Sequence, residues 1–125
     1  MTNVYVAGIA MTVFGRHPER SLHDLAGEAL QGALADAGCA AADIGAAYYS
    51  GMTNGTLQGQ ISIPGQVIFS KIGIEGIPIY NVENACASGS SALNLAVQSL
   101  KAGTTDVTLA LGAEKMNIPD KAKAF

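Results

Sequence analysis

The sequence predicts an α/β domain: a mostly parallel sheet with helices on both faces. Three observations carry this. Short apolar and β-branched runs alternate with stretches of helical period along the chain. Hydrophobic residues make up 49% and charged ones 14%, which supports a real core and excludes disorder. The 15 glycines and the many alanines suit tight turns and close helix–sheet contacts. At 125 residues the chain is about one domain.

Taken in order, residues 4–10 alternate weakly and are dense in small and β-branched side chains, which predicts a buried strand. Residues 14–20 hold Gly15, His17 and Pro18 and read as a loop. Ser21 with Asp24 resembles a capping pair. Leu22, Leu25, Ala26, Ala29, Leu30, Ala33, Leu34 and Ala37 follow at helical spacing, and Gly38 stands where a C-terminal cap belongs. A second strand is expected over 46–50. Residues 51–63 are polar and glycine-bearing with no period, so they read as a loop, over an active-site edge or as a surface connection. Pro64 opens a short helix carrying Val67, Ile68 and Ile72, ended by Gly73. A third strand covers 78–82. The next helix, 87–102, turns Ala92, Leu93, Ala96, Val97 and Leu100 inward and ends at Gly103. A fourth strand covers 107–111, and 117–125 reads as loop. Parallel strands joined this way need right-handed crossovers.

The totals exclude several function classes. A net charge of −3 makes no electrostatic case for nucleic acid or an anionic membrane surface. The longest apolar runs fall short of a membrane span. The N-terminus shows no secretory pattern. Cys39 and Cys86 lie in no Cys-x-x-Cys or Cys/His cluster, so no metal site is indicated. One disulfide between them stays open, but a reducing, cytoplasmic location is the expectation. Gly51, Gly55 and Gly59 are not a phosphate loop, because no Gly-Lys-Ser/Thr follows.

Chemistry concentrates at Cys86, between the third strand and the helix that follows. Helix N-termini leave backbone N–H groups unpaired and favour negative charge, which suits a thiolate nucleophile and an oxyanion beside it. Ala85, Ala87, Ser88 and Gly89 let a substrate approach the backbone closely. A small buried hydrophobe is the other reading of a lone cysteine. His17 and His23 read as exposed or structural. Cys39 reads as packing. Glu83 and Asn84 order the turn without taking part in chemistry. Glu114 and Met116 follow the fourth strand, at the edge where open α/β sheets place sites; for Met116 a packing role stays open.

Asn84-Ala85-Cys86-Ala87-Ser88-Gly89-Ser90-Ser91-Ala92 resembles the nucleophile elbow of the thiolase superfamily. Val4-Tyr5-Val6-Ala7-Gly8-Ile9-Ala10-Met11-Thr12-Val13-Phe14-Gly15 and Leu109-Ala110-Leu111-Gly112-Ala113-Glu114-Lys115-Met116 are similar to segments of its sterol-carrier-protein-type thiolases and acetyl-CoA acetyltransferases, in the same order. The resemblance implies a thiolase-like αβαβα layered sandwich of which residues 1–125 form only the first part of the N-terminal half. It implies that Cys86 accepts an acyl group from acyl-CoA, with its backbone N–H in the oxyanion hole, and that Met116 lies near the acyl pocket. Coenzyme A is then a substrate, with no bound cofactor. The reaction is thiolytic cleavage of a 3-ketoacyl-CoA or the reverse condensation. The family's activating histidine, second cysteine and glycine-rich oxyanion donor lie in its C-terminal half. The resemblance also implies a homodimer or larger homo-oligomer, with the third strand pairing across a two-fold, or association with another subunit. Two alternatives accompany it: a lipid-transfer or scaffold subunit without catalysis, and a thiolase-like steroid side-chain aldolase, against which Cys86 argues.

Overall fold

The structure, a computed structural model, describes residues 2–120. The end of the expected terminal loop, 121–125, lies outside the described residues. In order the elements are α1 (Leu22–Ala37), a 3-10 turn (Ala41–Asp43), β1 (Ala46–Ser50), α2 (Asn54–Gln58), α3 (Pro64–Lys71), β2 (Ile79–Val82), α4 (Ser88–Lys101) and β3 (Thr108–Gly112). The three strands form one parallel sheet in the order β2-β1-β3. Ala47 stands opposite Ile79 on one side and Leu109 on the other.

Local chemistry accounts for most boundaries. At the start of α1 the Ser21 hydroxyl accepts from the Asp24 N–H at 3.1 Å, and the Asp24 carboxylate accepts from the Ser21 N–H at 2.8 Å. Together they satisfy two donors that a helix start leaves free. Those bonds, first from the Ser21 backbone and then from its hydroxyl, hold the Asp24 carboxyl below the usual carboxylate range. Gly38 closes α1 at φ 64, and the Cys39 N–H reaches back to the Leu34 carbonyl at 3.0 Å. Pro64 stands in the first turn of α3.

All five residues of β1 are buried, as a central parallel strand requires. Its two faces feed two cores. Ala47 and Tyr49 meet Leu22, Ala26 and Leu30 of α1 and Ile68 and Phe69 of α3. Ala46 and Tyr48 meet Ala92 and Ala96 of α4. Helices therefore cover both faces, as the alternation of the sequence predicts. Tyr49 meets Phe69 edge-on, with ring centroids 6.2 Å apart.

Three details differ from the sequence expectations. Residues 4–10 form no strand. They lie along α1, where a Cβ on Gly8 would come within 2.4 Å of the Ala33 carbonyl oxygen. The Ile9 N–H donates to the Asp36 carboxylate at 2.9 Å instead of to a ladder. Tyr5, Val6 and Ile9 face outward, and an apolar slot of about 340 Å³ separates the segment from the free edge of β3. Within the expected loop 51–63, residues Asn54–Gln58 form the short α2. Leu93, expected inward on α4, is 52% exposed, because α4 rests on the sheet through Ala92 and Ala96 and leaves Leu93 to the flank.

Candidate functional site

β2 ends at Val82 and α4 begins at Ser88; the turn between them carries Cys86. Ala85 adopts φ 47, a left-handed conformation that costs a residue with a Cβ about 1–2 kcal/mol. Such a conformation persists only where its surroundings over-determine it. Here they do. The Ser88 hydroxyl donates to the Ala85 carbonyl oxygen at 2.7 Å and accepts from the Asn84 N–H at 2.8 Å. The Asn84 carbonyl accepts from the Ala87 N–H at 2.9 Å, and the Ala85 carbonyl also from the Ser88 N–H at 3.1 Å. The Asn84 side chain donates to the Ser91 hydroxyl at 3.0 Å, and Glu83 accepts from the Ala85 N–H at 3.3 Å. Glu83 and Asn84 thus order the turn, as their types suggest.

This arrangement holds Cys86 out of the core. It is exposed, with a free thiol. Cys39 is also free, so the two form no disulfide; it is half-buried, with its thiol 3.7 Å from the Ala37 carbonyl. Among the described residues, the N–H groups of Gly89 and Ser90 in the first turn of α4 make no hydrogen bond.

Cys86 opens onto a cavity of about 370 Å³ that it shares with Ser50, Met52, Gly89, Glu114 and Met116. The cavity lies at the carboxyl ends of β1 and β3, the edge where parallel sheets place ligands. The structure brings Cys86 and Met116 to this one space; Met116 is 45% exposed. Gly112 keeps the floor open, since a Cβ there would come within 2.7 Å of the Ser50 hydroxyl.

The wall opposite the elbow is the loop after β1. The Glu114 carboxylate accepts from the Thr53 N–H at 3.2 Å, and also from the Met52 N–H and the Thr53 hydroxyl. The Asn54 amide donates to the Ala113 carbonyl at 3.4 Å, and the Gln58 amide to the Lys115 carbonyl at 2.9 Å. The Tyr49 hydroxyl donates to the same Ala113 carbonyl at 3.2 Å. Burial foremost, together with the nearby Glu114 charge, pushes that phenol far above its ordinary range.

Neither histidine lines this cavity. His17 lies 2.7 Å from the Val13 carbonyl through its Nε2. His23 is half-buried, not exposed as its place on the first turn of α1 suggests. Its Nε2 is buried without a partner, and burial, then the charge of Lys71, lowers its pKa. Among the described residues, no three His, Cys, Asp or Glu side chains converge on a metal site.

Sequence reasoning missed Ser50 and Thr53, and read Ser88 only as a small residue. A serine three residues after the left-handed position carries a readable signal, since its hydroxyl reaches back to the turn. Ser50 and Thr53 meet the site through a long-range fold and carry none.

Residues 4–124 match the family model described as thiolase, N-terminal domain. The chain is 40% identical over 124 residues to sterol carrier protein 2 of Gallus gallus, covering 98% of this chain and 22% of that protein. It is 38% identical over 116 residues to acetyl-CoA acetyltransferase of Methanothermobacter thermautotrophicus, covering 93% of this chain and 30% of that protein. The solved structure of acetyl-CoA acetyltransferase from Syntrophomonas wolfei superposes with a TM-score of 0.68 at 29% identity, over 83% of this chain and 27% of that one. The chain therefore spans less than a third of the length of these relatives.

Proposed function

The chain belongs to the thiolase N-terminal domain family and has its α/β fold, and on that premise we propose that it is the nucleophile-bearing part of an acyl-CoA thiolase, an acetyl-CoA C-acyltransferase. One observation carries the reading: Cys86 stands exposed on a braced, left-handed turn at the mouth of a cavity it shares with Met116. The Cys86 thiolate attacks the carbonyl carbon of an acyl-CoA. In the synthetic direction the carbon–sulfur bond to coenzyme A then breaks and the leaving sulfur takes up a proton. In the degradative direction the attacked carbon is the 3-keto carbon of a 3-ketoacyl-CoA, its bond to C2 breaks, and the leaving acetyl-CoA enolate takes up a proton. The acyl group is held as a thioester on Cys86 until a second acceptor takes it, a thiol in the degradative direction or an enolate in the synthetic one. The backbone N–H of Cys86 serves the oxyanion, and Met116 forms part of the acyl wall. Coenzyme A enters as substrate, and no separate cofactor is needed.

Neither His17 nor His23 reaches the cavity, so neither is the proton acceptor for Cys86. The complete reaction is therefore that of the whole protein, acting as a homodimer or larger assembly in lipid metabolism. Among the described residues no helix is long and apolar enough to cross a membrane; a cytoplasmic location completes the reading.

The 40% identity to a sterol carrier protein supports a second reading, in which the fold binds lipid without acyl transfer. Intact mass after incubation of the whole protein with acetyl-CoA and longer acyl-CoAs separates the two. One acyl group gained on Cys86, and lost in Cys86→Ala, supports the acyltransferase. No adduct at any chain length overturns it in favour of the binding role.

A further inference from the structure

We propose that Glu114 is a positioning residue that sets the width of the cavity at Cys86, and through it the length of acyl chain the site admits. The link to acyl length rests on the acyl-transfer reading above; the link to cavity width does not. Met52 forms one wall of the cavity, and Ala85, Cys86 and Gly89 form the other. Met52 belongs to the short connection between β1 and α2, which has no means of its own to stay in place. α2 has five residues, too few to be stable as an isolated helix. Its N-cap residue, Thr53, makes no capping bond with its own side chain. Glu114 supplies the missing acceptor from just past the end of the neighbouring strand β3, taking the N–H groups of Met52 and Thr53 and the Thr53 hydroxyl on one carboxylate. Such charge-assisted bonds are the strong ones. No ion pair reaches Glu114 among the described residues, so its charge is directed at these donors. The remaining ties from α2 to the end of β3 are neutral amide bonds from Asn54 and Gln58. With its oxygens engaged, Glu114 is not the base of the reaction. It fixes the wall against which a chain on Cys86 must lie.

The test uses the whole protein and a series of N-alkylmaleimides from methyl to octyl, which react with Cys86 without any acyl-CoA chemistry. The readout is the ratio of the methyl to the octyl rate. In Glu114→Gln, which loses the charge and turns an amide N–H toward the donors, the long reagents should gain on the short by roughly tenfold, the scale of one methylene in a fitted pocket. Glu114→Asp, which keeps the charge, should fall between wild type and the glutamine variant. A ratio unchanged in Glu114→Gln overturns the proposal, and so does equal slowing of every reagent, the mark of a merely structural role. Should Glu114→Gln not fold, Thr53→Val removes one donor and should move the ratio the same way by less; no movement there also overturns it. Parallel incubation with acyl-CoAs keeps the two questions apart. A wild type that takes no acyl group sinks the acyltransferase reading, while the maleimide ratios still decide the role of Glu114.

Discussion

The hydroxyl of Ser88 donates to the Ala85 carbonyl oxygen at 2.7 Å, across the turn that carries Cys86. It accepts from the Asn84 N–H as well, so one buried serine braces both sides of a left-handed residue. Ser88→Ala leaves the Asn84 N–H without its acceptor and takes away a donor from the Ala85 carbonyl. The expected cost is about 1–3 kcal/mol, read as a lower denaturant midpoint with an unchanged slope. A displaced nucleophile should also lose acylation by roughly a hundredfold, since about 1 Å of misplacement is worth that much. Full acylation in a destabilised Ser88→Ala would show that the brace serves only the fold.

Gly65, in the first turn of α3, lies against β2, where its N–H donates to the Asn81 side chain at 2.6 Å. A Cβ there would come within 2.7 Å of both that oxygen and the Tyr49 Cβ. Gly65→Ala should destabilise by about 1–3 kcal/mol through overpacking. Thermal unfolding measures it, and an unchanged transition would mean that α3 can shift without penalty.

His23 gives the fold a pH dependence of definite sign. Its pKa lies below the ordinary histidine value because burial and Lys71 disfavour the cation; Asp24 opposes them weakly. The folded state thus binds fewer protons than the unfolded one just below pH 6.5, and stability falls as the pH drops through that region. Asp24 adds a second loss only at lower pH, because its folded pKa is depressed below the usual carboxylate value. Denaturant midpoints between pH 8 and 5 should decline in the wild type and decline less in His23→Gln. Equal slopes in the two proteins would remove His23 as the cause.

β2 is an edge strand in this sheet, and Tyr80 on it is 50% exposed while stacked on Tyr48 at 5.0 Å. If β2 pairs with a second copy, Tyr80→Lys should shift the whole protein toward monomer in sedimentation. Tyr80 is a better probe than Ile79, which packs against the core and would disturb folding. A dimer that survives Tyr80→Lys at wild-type strength moves the interface elsewhere.

Much of the fold was legible because its determinants are local. Ser21, Asp24 and Gly38 bound α1 by capping chemistry alone, Pro64 opens α3, and the first four residues of β1 are a continuous apolar run closed by Ser50. The segment 4–10 was misread because weak alternation describes an extended chain equally well against a sheet or along a helix. What decided was Asp36, 27 residues away, taking the Ile9 N–H. α2 escaped notice for a related reason: the carboxylate that caps it comes from Glu114, 61 residues beyond Thr53. At the site, the strand-to-helix turn and its small residues pointed to Cys86, whereas Ser50 meets the cavity, and Thr53 its Glu114, only through tertiary folding.

The central place of β1 has a consequence for synthesis. Ala46 pairs with Thr108, so this strand leaves the ribosome well before the partner on its β3 side exists. At about 5–20 residues per second, that interval lasts several seconds. α1, made earlier, can shelter Ala47 and Tyr49 at once, but Ala46 and Tyr48 have no cover until α4 is complete. For those seconds the nascent chain carries a bare aromatic strand with an unpaired edge, the kind of surface that chaperones hold and that aggregation exploits. The pace of translation through α4 therefore governs how safely this chain reaches its native state.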